Sequence, residues 1–364
     1  MTTGYKKLKP TTLLAVAALA LVSGAASAQS TVTIYGNVDA GLLLQNNAAP
    51  SVSSPQIYNG GISPSIWGFR GSEDLGNGLK VNFNLESHFS VDTGAQGGNL
   101  FRRQANVGFS SASMGNLTLG TQYSPAVLAF AATDPRGLRE NFSGLYSWAY
   151  NSGALAGINT NSDVGVFLQN AISYSNAVGP VNLALGYSMA EKSTGATTGA
   201  VVALGATYSG PVSLSAAYHA ADRANTSDRL STMYSVGAGY TTGALTGKLN
   251  YLRGINKDAA GTDTSNVEVI GLGVDWKLAP NNTVIAAAYF GKDKNDSSNK
   301  TSSFILSDEY ALSKRTTLYG TVAFVNTDKM VNGGTTGLMT SIVAGGTLAD
   351  TNATLVNFGV KHSF

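Results

Sequence analysis

The chain ends on an alternating strand. From residue 357 onward, Phe358, Val360, His362 and Phe364 fall on one side of an extended backbone, and Asn357, Gly359, Lys361 and Ser363 on the other. One face is apolar and the other is wet. A strand that finishes a chain leaves an open edge unless something pairs with it. Pairing it with the first strand closes the sheet into a barrel. Composition points the same way. Charged residues make up 12% of the chain, about half the ~25% of soluble domains, yet mean hydropathy is only +0.04. After the N-terminus no apolar run approaches the ~20 residues of a spanning helix. Low charge without apolar runs is what strands give when one face meets lipid and the other water.

The N-terminus supplies the compartment. Lys6, Lys7 and Lys9 precede an uncharged apolar run from Leu13 to Val22, and Ala26-Ser27-Ala28 fits the small-residue cleavage rule. A secretory leader over 1–28 is expected, with the mature domain over 29–364. Removing the three leader lysines brings the chain close to neutrality, so no basic excess points to nucleic acid. The absence of cysteine excludes disulfides and thiolate metal sites. Three histidines, His88, His219 and His362, have no sequence tie to a nucleophile, and no metal-ligand spacing is present. Neither an enzyme, a cofactor nor a metal site is expected.

Between the ends the chain breaks into short alternating segments. Strands are predicted at 31–45, 62–73, 79–92, 100–113, 116–124, 166–176, 181–190, 199–209, 211–222, 229–242, 244–255, 264–278, 282–291, 299–312, 315–326 and 353–364. Strand 79–92 shows the pattern plainly: Val81, Phe83 and Leu85 oppose Lys80, Asn82, Asn84 and Glu86. Connections alternate in length. Tight turn-formers such as Asp74-Leu75-Gly76-Asn77-Gly78, Val178-Gly179-Pro180 and Ala279-Pro280-Asn281 alternate with long polar stretches, the longest over about 125–165. The fold expected is all-β: a 16-stranded antiparallel transmembrane barrel with short turns on one rim and long loops on the other. No short repeat of the kind a β-solenoid needs is present.

Several motifs carry a family resemblance. They are Ser30-Thr31-Val32-Thr33-Ile34-Tyr35-Gly36 with Asp39, Gly68-Phe69-Arg70-Gly71-Ser72-Glu73-Asp74-Leu75-Gly76-Asn77-Gly78-Leu79-Lys80, Arg103-Gln104-Ala105-Asn106-Val107-Gly108-Phe109, Leu117-Thr118-Leu119-Gly120 and the closing Phe358–Phe364. In these the chain resembles the general porins of Gram-negative outer membranes, in their beta-proteobacterial form. The resemblance implies a homotrimer in outer-membrane lipid and lipopolysaccharide that passes ions and small hydrophilic solutes by passive diffusion. It also implies that Phe364 takes part in barrel closure and in recognition by the assembly machinery. Two further readings stand beside it: a porin selective for one small solute, and a barrel used mainly as an adhesin or structural element.

The resemblance further implies that loop 125–165 folds into the lumen and constricts it. Its candidate charges are Asp134, Arg136, Arg139 and Glu140, with Asp163 near its exit. Acids facing basic wall residues would set up a transverse field that favours one ion sign. Three wall positions where such porins usually carry arginine read Ile66, Thr121 and the stretch Phe167–Gln169. The remaining wall cations are Arg70, Lys80, Lys361 and Arg102 or Arg103. Strict alternation sends Arg102 inward and the motif selects Arg103, which a β-bulge would reconcile. Asp39 and Glu86 are lumen acids expected to pair with basic neighbours. The field is therefore expected to be weaker than usual, or displaced.

Overall fold

In the computed structural model, residues 31–46, 54–139, 142–152, 159–191, 197–328 and 351–364 are described. The leader and Glu140 lie outside the described residues. Sixteen strands form the wall: β1 Thr31–Gln45, β2 Ile66–Gly76, β3 Leu79–His88, β4 Gln104–Ser111, β5 Gly115–Tyr123, β6 Ala171–Val178, β7 Val181–Ser188, β8 Val201–Tyr208, β9 Val212–Asp222, β10 Arg229–Thr242, β11 Leu245–Lys257, β12 Asp263–Ala279, β13 Asn282–Asp293, β14 Lys300–Ala311, β15 Thr316–Thr327 and β16 Thr351–Ser363. Each pairs antiparallel with its neighbours in sequence, and β1 pairs with β16 from Asn37↔Ser363 to Gln45↔Leu355. The sheet is a closed ring with no free edge.

Closure runs to the last residue. Phe364 N donates to Gly36 O at 3.0 Å, and Gly36 N donates to Phe364 O at 3.3 Å. The Phe364 ring lies over Gly36, with Cζ 2.6 Å from where a Cβ would stand. Only glycine allows that approach.

The two faces of the wall separate as the alternation requires. Leu204, Val236, Leu249, Ile270, Phe290, Phe304 and Phe358 are exposed on the outside. Among the described residues no helix is long and apolar enough to cross a membrane. The strands cross instead, and half of them exceed the ~9–11 residues a tilted strand needs. Turns on one rim are tight. Gly76, Asn77 and Gly78 have φ of 84°, 53° and 75°, and such a left-handed run suits glycine and asparagine.

Several predicted boundaries shift by up to four residues: strand 62–73 lies at Ile66–Gly76, 79–92 ends at His88, and 100–113 begins at Gln104. Two other differences change the reading. Gln56–Asn59, read as loop, is a short strand paired with Ala40–Leu43. The predicted strand 166–176 splits. Phe167–Leu168 pairs with Ser162–Asp163 and with Gln122–Tyr123, and the wall strand begins at Ala171. Asn170, at φ 50°, makes the break. The apolar run Val166-Phe167-Leu168 belongs to an interior cluster with Phe130 and Trp148 rather than to the wall.

Candidate functional site in the barrel lumen

The connection from β5 to β6 does not stay outside. It carries two short helices, α1 Pro125–Ala131 and α2 Leu145–Asn151. Both lie against the inner wall. Pro125 at the first helical turn suits its missing N–H, and Ala126, Val127, Ala129 and Phe130 are buried.

Small wall residues make room for the loop. An added Cβ at Gly205 would stand 2.2 Å from Pro125 O. At Gly237 it would stand 1.9 Å from Thr133 Oγ1, at Gly254 2.3 Å from Asn151 Cβ, and at Gly273 2.7 Å from Pro135 Cβ. These glycines, on β8, β10, β11 and β12, trace the track on which the loop rests. Polar contacts fix it there. Thr133 Oγ1 lies 2.6 Å from Ser215 Oγ and accepts from Asn250 Nδ2 at 3.0 Å. Ser231 Oγ donates to Ser152 O at 2.8 Å.

Asp134 organises the loop tip. It is fully buried. It accepts from the backbone N–H of Leu138 at 2.9 Å, of Arg136 at 3.1 Å and of Gly144 at 3.1 Å, and from Tyr289 Oη on β13 at 3.1 Å. Burial pushes its carboxyl above the usual carboxylate range, and these hydrogen bonds oppose the shift. The residue therefore holds the loop in shape and pins it to the wall, and it presents no charge to the water path.

The two loop arginines turn to the wall. Arg136 is buried and donates from Nη1 to Ser307 Oγ on β14. Burial, with Arg139 nearby, lowers its guanidinium to about 10. Arg139 forms a two-bonded pair with Glu309 on β14. Burial would lower Arg139, but Glu309 outweighs it and holds the guanidinium above its ordinary value. Next to this pair Lys248 Nζ lies 2.8 Å from Asp275 Oδ2 and 3.4 Å from Pro135 O.

A second group lies at the loop's exit. Arg102 grips Asp163 through two contacts of 2.6 Å. Arg103 Nε donates to Glu86 Oε1 at 2.8 Å, and its guanidinium stacks 5.0 Å from the Phe167 ring. Glu86 also accepts from Tyr35 Oη at 2.8 Å. Both arginines precede β4, in the connection from β3, so strand alternation does not govern them and no bulge is required to reconcile them. Phe167 is buried beside Tyr123 at 4.9 Å.

Asp39 is placed by partners other than cations. It is fully buried, accepts from the N–H groups of Gly61, Ile62 and Ser63, and receives a 2.6 Å hydrogen bond from Tyr319 Oη. It fastens the return segment after Asn59 to the inner wall. The sequence signal for this was the Gly60-Gly61 pair ahead of Ser63-Pro64-Ser65, a segment able to approach a wall carboxylate closely.

Arg70 stacks 5.0 Å over the Tyr35 ring and is exposed to the lumen. Lys80 and Lys361 stand on the inward faces of β3 and β16. None of these three forms an ion pair within 4.0 Å among the described residues. Ile66 shares the inward face with Arg70, in register with Asn37 and His88. Thr121 is half-buried and pairs with Ala105. Tyr35, Tyr289 and Tyr319 face in, whereas Tyr187, Tyr218 and Tyr240 are exposed on the outside.

A closed β-wall, apolar outside, with a polar interior narrowed by an infolded loop, defines a membrane diffusion channel. Comparisons with known proteins agree. Residues 15–330 match the family model described as Gram-negative porin. The chain is 33% identical to outer membrane porin protein 32 of Delftia acidovorans over 97% of this chain and 99% of that protein. It is 43% identical to an outer membrane porin protein of Bordetella pertussis over 35% of this chain and 37% of that protein. Its fold superposes on an anion-selective porin from Comamonas acidovorans with a TM-score of 0.79 and 27% identity, covering 92% of this chain and all of that one. The chain belongs to the Gram-negative porin family. It is an outer-membrane channel for passive diffusion of ions and small hydrophilic solutes, in a family of channels rather than enzymes.

Proposed function

We propose that this porin favours small anions, and that the preference comes from a basic patch displaced from the usual wall positions. The supporting observation is which charges remain unpaired. The loop acids Asp134 and Asp163 are engaged, one by its own loop and one by Arg102. Arg70, Lys80 and Lys361 face the water path and form no ion pair within 4.0 Å among the described residues, although Asp74 and Asp39 lie across the ladder from Lys80 and Lys361. Cations in a low-dielectric wall attract anions and repel cations over a Debye length of ~8–10 Å. Ile66 in place of an arginine weakens the field at its own level, so the preference is moderate. The similar solved structure of an anion-selective porin supports the same sign.

The mature protein in this reading begins at Gln29 and works as a homotrimer. It sits in outer-membrane lipid and lipopolysaccharide after delivery by an assembly machinery that reads the C-terminal strand. Charged positions 70, 80 and 361 shape the permeation path, with Arg102, Arg103, Arg136 and Arg139 paired to the wall or loop and, like Asp39, Glu86, Asp134 and Asp163, holding the surrounding structure.

Reversal potential in a planar bilayer under a potassium chloride gradient tests the sign. The wild type should favour chloride, and the Arg70→Gln, Lys361→Gln double variant should move toward zero selectivity. A cation-selective wild type, or a double variant with unchanged reversal potential, refutes the assignment.

A further inference from the structure

At the short-turn end of the lumen, the inner faces of β1, β2 and β3 enclose a recess of about 300 Å³. The side chains that line it are Thr31, Thr33, Arg70, Ser72, Asn82 and Asn84. By register Thr33, Arg70 and Asn84 stand side by side on the three strands, and Thr31, Ser72 and Asn82 form the next row. One cation is thus ringed by neutral hydrogen-bonding groups.

That cation differs from the other arginines around the loop. Arg102, Arg103, Arg136 and Arg139 each donate to a side-chain acceptor. Arg70 donates to none among the described residues. Lys80 and Lys361 have Asp74 and Asp39 across the ladder, whereas the direct neighbours of Arg70 are uncharged. Its plane is nevertheless fixed. The guanidinium lies 5.0 Å over the Tyr35 ring, and Tyr35 Oη donates to Glu86 Oε2 at 2.8 Å. Glu86 is held in turn by Arg103 Nε at 2.8 Å. A guanidinium stacked on an aromatic face keeps its N–H fork available for a carboxylate. Fixing the fork before a ligand arrives lowers the ordering cost of binding.

The neutral groups are available too. Thr31, Thr33, Ser72 and Asn84 form no side-chain hydrogen bond among the described residues. Asn82 uses its Nδ2, on Ser110 Oγ at 2.7 Å, which leaves its Oδ1 as an acceptor. Hydroxyls and primary amides both donate and accept, so together they suit the hydroxyls of a polyol. A hydrocarbon acid would displace their water without replacing its hydrogen bonds. An uncharged sugar would leave the fork unused.

We propose that this recess binds a hydroxylated monoanion of about hexose size, a sugar acid. Its carboxylate takes the Arg70 fork, and its hydroxyls bond Thr33, Ser72, Asn82 and Asn84. The volume sits at the lower end of ligand clefts. The inference deepens the anion preference proposed above and rests on it, because both need the free charge of Arg70.

The test is single-channel block of the native protein in planar bilayers, with glucuronate as the probe. Cyclohexanecarboxylate carries the charge and a similar ring without hydroxyls, and glucose carries the hydroxyls without the charge. In the wild type glucuronate should block at concentrations about tenfold lower than either. Arg70→Gln should raise its blocking concentration about 10- to 100-fold, the loss of a charge-assisted pair. Arg70→Lys keeps the charge without the fork and should raise it about tenfold. Asn84→Leu should raise it about fivefold for glucuronate but not for cyclohexanecarboxylate. Equal glucuronate block in wild type and Arg70→Gln overturns the site. So does cyclohexanecarboxylate or glucose blocking as well as glucuronate. A wild type that favours chloride but is not blocked by glucuronate removes the sugar-acid site and leaves the anion preference standing. A wild type that favours potassium overturns the preference, and the site with it.

Discussion

Replacing Asp134 by alanine should release the constriction loop while leaving the barrel standing. The carboxylate accepts four hydrogen bonds of 2.9–3.1 Å, three from loop amides and one from Tyr289 on the wall. Removing it leaves the Leu138 and Gly144 N–H groups and the Tyr289 hydroxyl without this acceptor, each at a cost of ~1–3 kcal/mol, while the Arg136 N–H keeps Tyr289 Oη at 3.2 Å. Water entering the site satisfies some of them, and deleting a buried carboxylate recovers its desolvation cost. The net loss in loop docking is about 2–4 kcal/mol. At ~1.4 kcal/mol per decade the undocked population rises roughly 30- to 1,000-fold. Thr133–Ser215 and Arg139–Glu309 still tether the loop, so the variant should flicker rather than remain open. Single-channel recording should show larger, noisier current, and trypsin should cut after Arg136 and Arg139, one buried and the other half-buried. Heat-modifiable mobility on a gel should be unchanged, because no wall ladder uses Asp134. Tyr289→Phe removes one of the four bonds and should act in the same direction at about 1 kcal/mol. A quiet, wild-type current with no new cleavage in the Asp134→Ala protein would show that Asp134 does not hold the loop in place.

Other predictions concern the loop track and the seam. Gly205→Ala places a Cβ 2.2 Å from Pro125 O, whereas nothing lies within 4 Å of a Cβ at Gly320. The first should cost ~1–3 kcal/mol and disturb conductance, and the second should stay within ~0.5 kcal/mol; equal effects in thermal unfolding would remove the track. Deleting Phe364 takes away two backbone hydrogen bonds and the ring that covers Gly36. The folded fraction recovered from outer membranes should fall, and an unchanged yield would show that closure does not depend on the terminal residue.

Strand alternation needs no tertiary knowledge. Each wall strand has to present one face to lipid and one to water, and that demand writes itself locally in pairs of residues. Val81, Phe83 and Leu85 against Lys80, Asn82 and Asn84 could be read directly. So could the rhythm of short turns and long loops, because turn chemistry is also local.

The interior followed a different rule. Phe167 and Leu168 look like wall residues in sequence, but they pack inward, because an infolded loop needs its own apolar core. Asp134 and Asp39 look like pore charges, yet both are buried acceptors for backbone N–H groups. A carboxylate reads the same in sequence whether it meets water or three amides, and only the chain brought against it decides which.

A closed sixteen-strand barrel, its seam at Phe364 and a loop too long to be a simple connection were legible in the order of residues. Which charges remain for a passing ion was settled only when the chain folded. Pairing depends on side chains far apart in the chain, such as Arg139 with Glu309 and Tyr319 with Asp39. Those distances are set when the sheet closes and the loop settles onto its glycine track.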